Sequence, residues 1–234
     1  TKSPTETPTA PSTPTPTARP PTPTPEVIIK VTTDSDLVDG DTSSVEVLLA
    51  NPGPDGVSLR EILEATNNDP GIYAIRFAPE LSGTVIRIGS IELPALLGGN
   101  VTVNGDIDED GRPDVTIEGT PDIEGPWRPY SGFLIASSGN TLYAVRIQNF
   151  AIGVFFPVLF EDRTLANNTI RALVMEKVGA GIHLFSGVGE RGQSPRRTNN
   201  RWVNTLITGN IIESKSGGIT LALHWTAGNS LEHT

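Results

Sequence analysis

From Thr84 onward, apolar residues come in short runs set off by Gly, Asn and Asp. They include Thr84-Val85-Ile86-Arg87-Ile88, Val101-Thr102-Val103, Val115-Thr116-Ile117 and Gly132-Phe133-Leu134-Ile135. Runs of this kind predict short β-strands, and nothing in this part of the chain repeats at helical spacing. Upstream, Val27–Val31 and Ile72–Phe77 also read as strands. Between them lies the clearest helix signal, Leu59–Thr66. Leu59, Ile62, Leu63 and Thr66 fall at i, i+3, i+4 and i+7 and give one apolar face. Ser58 and Glu61 form a capping box, and Asn67-Asn68-Asp69-Pro70-Gly71 stops the helix. So short a helix needs an apolar surface to dock on. The expectation is a lid over the first layer of a stack of strands.

The later runs repeat. Thr141-Leu142, Thr164-Leu165 and Thr205-Leu206 are each followed by an Ile and then by a second apolar run containing Gly153, Gly181 or Gly218. From Leu142 to Leu165 is 23 residues; from Leu165 to Leu206 is 41, the excess assigned to an insertion over Ser186 to Asn200. A period in the low twenties predicts one coil of a solenoid: about three short strands plus turns. The expected architecture is all-β, a right-handed parallel β-helix with a short N-terminal capping helix. Leu142, Leu165 and Leu206 would share one buried column. Ile147, Ile170 and Ile212 would stack inward, leaving Gln148, Arg171 and Glu213 as an outward row. Asn168-Thr169-Ile170 and Asn210-Ile211-Ile212 share an Asn two residues before an apolar one.

Composition sets the surroundings. Thr1 to Pro25 holds nine Thr and nine Pro, an extended and solvated spacer rather than part of a core. Residues 26–234 then form the predicted domain, with 26–80 as cap region and 81–234 as coils. The net charge of -10 argues against a nucleic-acid partner, which requires clustered positive charge. The absence of cysteine excludes a disulfide scaffold, a thiolate metal site and a Cys nucleophile. No apolar run approaches the roughly 20 residues of a membrane-spanning helix. Without an initiator Met or a signal-like segment, the chain reads as a mature form or a fragment. Beyond His224 the strand pattern is lost, so either the natural protein continues or these residues fold over the last coil.

Asp55-Gly56-Val57-Ser58-Leu59-Arg60-Glu61-Ile62, with Asn68 and the Ile75-Arg76-Phe77 strand, resembles the CSLREA-type N-terminal segment of bacterial secreted and cell-surface β-helix proteins. Asn168–Phe185 and Asn210–Leu221 are similar to repeats of the pectate-lyase-like superfamily. The likeness covers most of Val27 to Leu223, with Val57 where the family has Cys and Ile62 where it has Ala. It implies a secreted or cell-envelope location of bacterial type. It leaves activity open, since this fold hosts lyases, hydrolases, adhesins and inert stalks.

Five features bear on chemistry. Asp106, Asp108, Asp110 and Asp114 stand at positions 1, 3, 5 and 9 of a loop with Gly111 at position 6, the front of a calcium loop. Ile117 holds position 12, where a bidentate Glu is expected, and the flanks are strands, so the loop is no EF-hand. Any Ca²⁺ there is expected to be structural; the plainer alternative is an acidic turn. Second, Arg171 and Glu213 would form an exposed ion pair worth under about 1 kcal/mol. Third, His183, placed near Thr220, and His224 are candidates for acid–base work or simply solvated side chains. Fourth, Gly187–Trp202 carries Arg191, Arg196, Arg197 and Arg201 against one Glu. That basic island suits carboxylates or phosphates, with Trp202 as a stacking face for a sugar, or Trp202 packed beneath a solvated loop. Fifth, Trp127 and Tyr130 form an aromatic loop pair able to stack a glycan or seal a groove.

Catalysis by this superfamily's lyases, as the resemblance implies, needs acidic residues presenting calcium and an Arg or Lys base; hydrolases need two opposed carboxylic acids. The outward rows read from the sequence hold no such set. The leading expectation is therefore a non-catalytic module for adhesion or polysaccharide binding, its partner an extracellular glycan or another surface protein. An extracellular polysaccharide lyase or glycoside hydrolase and a structural stalk remain as alternatives.

Overall fold

A computed structural model describes residues 26–89, 91–120, 131–158, 164–186, 201–223 and 230–232. Strands β1 (Val27–Val31), β2 (Tyr73–Phe77), β4 (Val101–Asn104), β7 (Thr141–Tyr143), β11 (Thr169–Arg171) and β14 (Leu206–Thr208) form one sheet in that order. A second contains β3 (Val85–Arg87), β5 (Thr116–Glu118), β8 (Arg146–Gln148), β12 (Val174–Ser186), β9 (Ile152–Val158) and β6 (Ser131–Leu134), with β15 (Ile211–Leu223) also paired to β12. A third joins β10 (Thr164–Ala166), β13 (Arg201–Val203) and β16 (Ser230–Glu232). Every strand pairing among the described residues is parallel, and no sheet closes into a barrel. The chain is thus mostly β, with parallel sheets and few helices.

Parallel pairing puts equivalent residues side by side, so inward positions form columns. Ile29, Ile75, Val103, Leu142 and Ile170 are successive partners, all buried, and Ile207 continues the line half-buried. In the second sheet Ile86, Ile117, Ile147 and Met175 do the same, with Ile212 next. Where β6, β9 and β12 pass one another, Gly132, Gly153 and Gly181 leave no room for a side chain. A Cβ on Gly153 would meet Met175 Sδ at 2.5 Å and the Gly181 carbonyl at 2.8 Å.

The single leucine column expected from the sequence is wrong. Leu142 pairs with Ile170, Leu165 with Trp202 in another sheet, and Leu206 with Thr169. Leu206 consequently points out and is 48% exposed. The Thr-Leu pairs that suggested the repeat belong to two different sheets, and one is displaced by a residue, which reverses its facing. The spacing is not in the low twenties either: Asn140 bonds to Asn168, 28 residues on. The equivalent of Asn168 in the next layer is Thr205, not Asn210, because β14 begins at Leu206 beside Thr169. The inward alignment of Ile147, Ile170 and Ile212 mixes two columns, so Gln148, Arg171 and Glu213 form no row.

Before the stack lie helix α1 (Val45–Ala50) and helix α2 (Leu59–Asn68). In α2, Leu59, Ile62 and Leu63 are fully buried. The Ser58 hydroxyl accepts from the Glu61 N–H at 3.2 Å, and Glu61 Oε2 accepts from the Ser58 N–H at 2.8 Å. Glu61 does more than cap. Its Oε1 accepts from the Asp39 and Gly40 N–H groups at 2.9 and 2.7 Å, tying the preceding loop to the helix. Arg60 reaches the other way: Nε and one terminal nitrogen grip Asp36 at 2.9 Å each, and the guanidinium also donates to the carbonyls of Ile91 and Glu92 at 2.7 Å.

Candidate functional site

The turn between β4 and β5 carries the acidic loop. Asp106 follows the last residues of β4, its N–H held by Asn104 Oδ1 at 2.9 Å. Asp114 returns the chain: its N–H donates to the Gly105 carbonyl at 3.0 Å, and its carbonyl accepts from the Gly83 N–H at 2.8 Å. Asp114 Oδ2 accepts from the N–H groups of Ile107 and Asp108 at 2.7 and 3.2 Å. Asp106, Asp108 and Asp114 each bring a carboxylate oxygen within 4.8 Å of the other two, so the three could hold a metal ion. Asp110, the fourth expected ligand, stands apart from this group. It is exposed and its Oδ1 accepts from the Arg112 N–H at 2.8 Å. Asp106 is 6% exposed, and its Oδ1 is buried without a hydrogen-bond partner. Leaving such an oxygen unsatisfied costs about 1–3 kcal/mol, more when it is charged.

Arg171 does not meet Glu213. Its guanidinium lies over the Tyr143 ring at 4.5 Å from the centroid, because β11 pairs with β7. These two belong to an outward row that the sequence reading missed. Lys30, Arg76, Asn104, Tyr143, Arg171 and Thr208 are successive partners across the first sheet. Among the described residues no carboxylate pairs with Lys30, Arg76 or Arg171. The signal was present: each row member directly follows an inward apolar residue, as in Ile29-Lys30, Ile75-Arg76 and Ile170-Arg171. What hid it was the uneven length of chain between layers.

On the second sheet the outward charges pair with one another. Arg87 pairs with Glu118 at 3.1 Å and Arg146 with Glu176 at 2.6 Å, while Gln148 Nε2 donates to Glu118 at 2.9 Å. Further along, His183 is in register with Thr220, as expected, and with Phe155. Its half-buried ring stands 5.7 Å from that of Phe155 and 5.9 Å from that of Phe185.

Trp202 is fully buried beside Leu165, so it offers no face to a sugar. The core claims it because β13 is flanked by β10 and β16. Arg191, Arg196, Arg197, Trp127, Tyr130 and His224 lie outside the described residues. A recess of about 460 Å³ beside Asp36, Arg60, Glu64 and Ile91 has its Arg60 and Asp36 already engaged with each other.

In comparisons with known proteins, no family model, no curated protein and no solved structure matches the chain.

Proposed function

We propose that the chain is a secreted or cell-surface right-handed parallel β-helix module of the pectate-lyase-like type, which binds an acidic polysaccharide along its first sheet. The solenoid reading is supported by order and register. From β7 to β16 the chain visits the first, second and third sheets in the same sequence three times. Turns after β7, β11 and β14 place Ala144, Ala172 and Gly209 in the left-handed region at equivalent positions. Helix α2 packs near edge strand β1, as a cap on the first coil would.

The observation that carries the ligand class is the row Lys30, Arg76, Asn104, Tyr143 and Arg171. Three cations with no partner carboxylate among the described residues share one face of a chain whose net charge is -10. Strands spaced by about 4.8 Å put Arg76 and Arg171 roughly 14 Å apart, a span suited to an extended polyanion lying across the strands. Tyr143 between them supplies an apolar ring and a hydroxyl, the mixed surface that sugars stack on. Capture by this row requires no metal; calcium enters the reading only as a structural ion at the Asp106–Asp114 turn.

Affinity electrophoresis in gels cast with polygalacturonate, alginate or a neutral glucan tests the reading. Retardation is expected in an acidic gel alone, weakening with salt as exposed charges are screened. Arg76→Ala/Arg171→Ala should weaken retention about tenfold, or 1.4 kcal/mol. Equal retardation of that variant and the wild type removes the row from the account. Release of unsaturated or reducing ends from any of these polymers replaces the binder with an enzyme.

A further inference from the structure

We infer that the turn joining β4 to β5 is a calcium site, with Asp106, Asp108 and Asp114 supplying carboxylate oxygens to one ion. The inference deepens the structural-ion part of the reading above and needs none of its polysaccharide part. Asp106 carries it. The residue is 6% exposed; Oδ2 accepts from the Gly111 N–H at 3.0 Å, and Oδ1 is buried with no partner. A buried carboxylate oxygen calls for a donor or a cation. No Lys or Arg among the described residues pairs with Asp106, Asp108 or Asp114. Apart from the Ser82 hydroxyl, 3.4 Å from Asp114 Oδ1, the donors to these carboxylates are backbone N–H groups of the turn itself. Such bonds hold the oxygens in place and leave their charge to be neutralised.

Coordination flexibility selects the ion. The three oxygens lie within 4.8 Å of one another on an irregular turn. Ca²⁺ takes six to eight oxygens in a flexible shell, whereas Mg²⁺ demands a near-ideal octahedron and keeps several of its waters. Three carboxylates gathered on one turn therefore suit calcium better than magnesium. Gly111, at φ +86°, supplies the sharp bend in the middle of the turn. An ion shared by Asp106 and Asp114 would join the residue that leaves the first sheet to the residue that enters the second, pinning the corner between them.

Isothermal titration of the full chain with CaCl₂ and with MgCl₂ tests the site. The expected result is one Ca²⁺ per chain, Mg²⁺ at least about tenfold weaker, and a higher melting temperature with calcium. Asp106→Asn keeps the shape and should weaken calcium at least about tenfold. A Cβ on Gly111 would come 3.7 Å from the Tyr143 hydroxyl, so terbium in the site should emit on tyrosine excitation and be displaced by calcium. No heat and no terbium emission from the folded wild type up to about 10 mM overturns the inference, since even weak extracellular calcium modules bind at roughly millimolar levels. Equal binding of the two ions, or undiminished calcium binding by Asp106→Asn, does the same. Should circular dichroism show Asp106→Asn unfolded, the exposed Asp108→Asn decides: weakened calcium binding sustains the site, and unchanged binding refutes it. No polysaccharide enters these measurements, so their failure is distinct from failure of the row.

Discussion

Residues 26–98 and residues 101–223 both bury polar side chains, but they use them differently. In the first region each buried group has its own bonds. Arg60 grips Asp36 and two carbonyls, Glu61 holds three N–H groups, and Ser58 donates to the Leu37 carbonyl at 2.9 Å. In the second region one bond recurs from strand to strand. Asn140 Oδ1 accepts from the Val101 N–H at 3.2 Å, and Asn168 Oδ1 accepts from the Asn140 N–H at 2.9 Å. Unique contacts fix one arrangement of a non-repeating segment. Repeated contacts fix the register of neighbouring strands, and the apolar columns supply most of the cohesion.

The sharpest way to break the first region is Arg60→Ala. The side chains of Arg60 and Asp36 are 9% and 14% exposed, so the loss leaves a mostly buried carboxylate with the Gly89 N–H but no cation, and takes the donors from two carbonyls. Urea denaturation should show a loss of about 3–5 kcal/mol, the usual cost of breaking a buried pair. A loss under about 1 kcal/mol would mean that the pair behaves as a surface contact. In the second region the matching test is a register test. Leu142→Ala, at a fully buried column position, should cost about 2–5 kcal/mol. Leu206→Ala, at a half-exposed position, should cost well under that. Equal costs would restore the leucine column that the structure replaces.

The same contrast explains what could be read in advance. Helix α2 was legible because a capping box and an i, i+3, i+4 face are local patterns. The acidic turn was legible for the same reason, through the spacing of its aspartates. Strand register was not. Asn140 lies 28 residues before Asn168, but Asn167 lies 37 before its partner Asn204, so no fixed period aligns the layers. A slip of register sets Arg171 beside Glu213 instead of Tyr143 and breaks up the row Lys30, Arg76, Tyr143 and Arg171. The orphan oxygen of Asp106 is equally hidden, since the spacing of aspartates does not say which of their oxygens is buried.

Register also predicts a gain. Thr205 occupies the ladder position above Asn168, and its Oγ1 is buried without a partner. Thr205→Asn would offer Oδ1 to the Asn168 N–H, as Asn168 does to Asn140. One added buried hydrogen bond should stabilise by about 1 kcal/mol in urea unfolding. Destabilisation by a similar amount would show that the ladder ends at Asn168 for want of room.

The smallest effect belongs to the first region, where unique polar contacts crowd charge. Asp39 donates its N–H to Glu61, while its own carboxyl is pushed above the ordinary Asp value. Desolvation contributes most, followed by the negative charges of Asp55 and Glu61. The folded chain therefore keeps the Asp39 proton to a higher pH than the unfolded chain does. The stability this gives is fully present below the unfolded value of about 3.9 and is lost as pH rises through the folded value. Asp39→Asn removes that loss. Its urea midpoint should exceed the wild type's slightly at neutral pH, and the difference should vanish near pH 3. A gain of equal size at both pH values would assign the effect to packing rather than to ionisation.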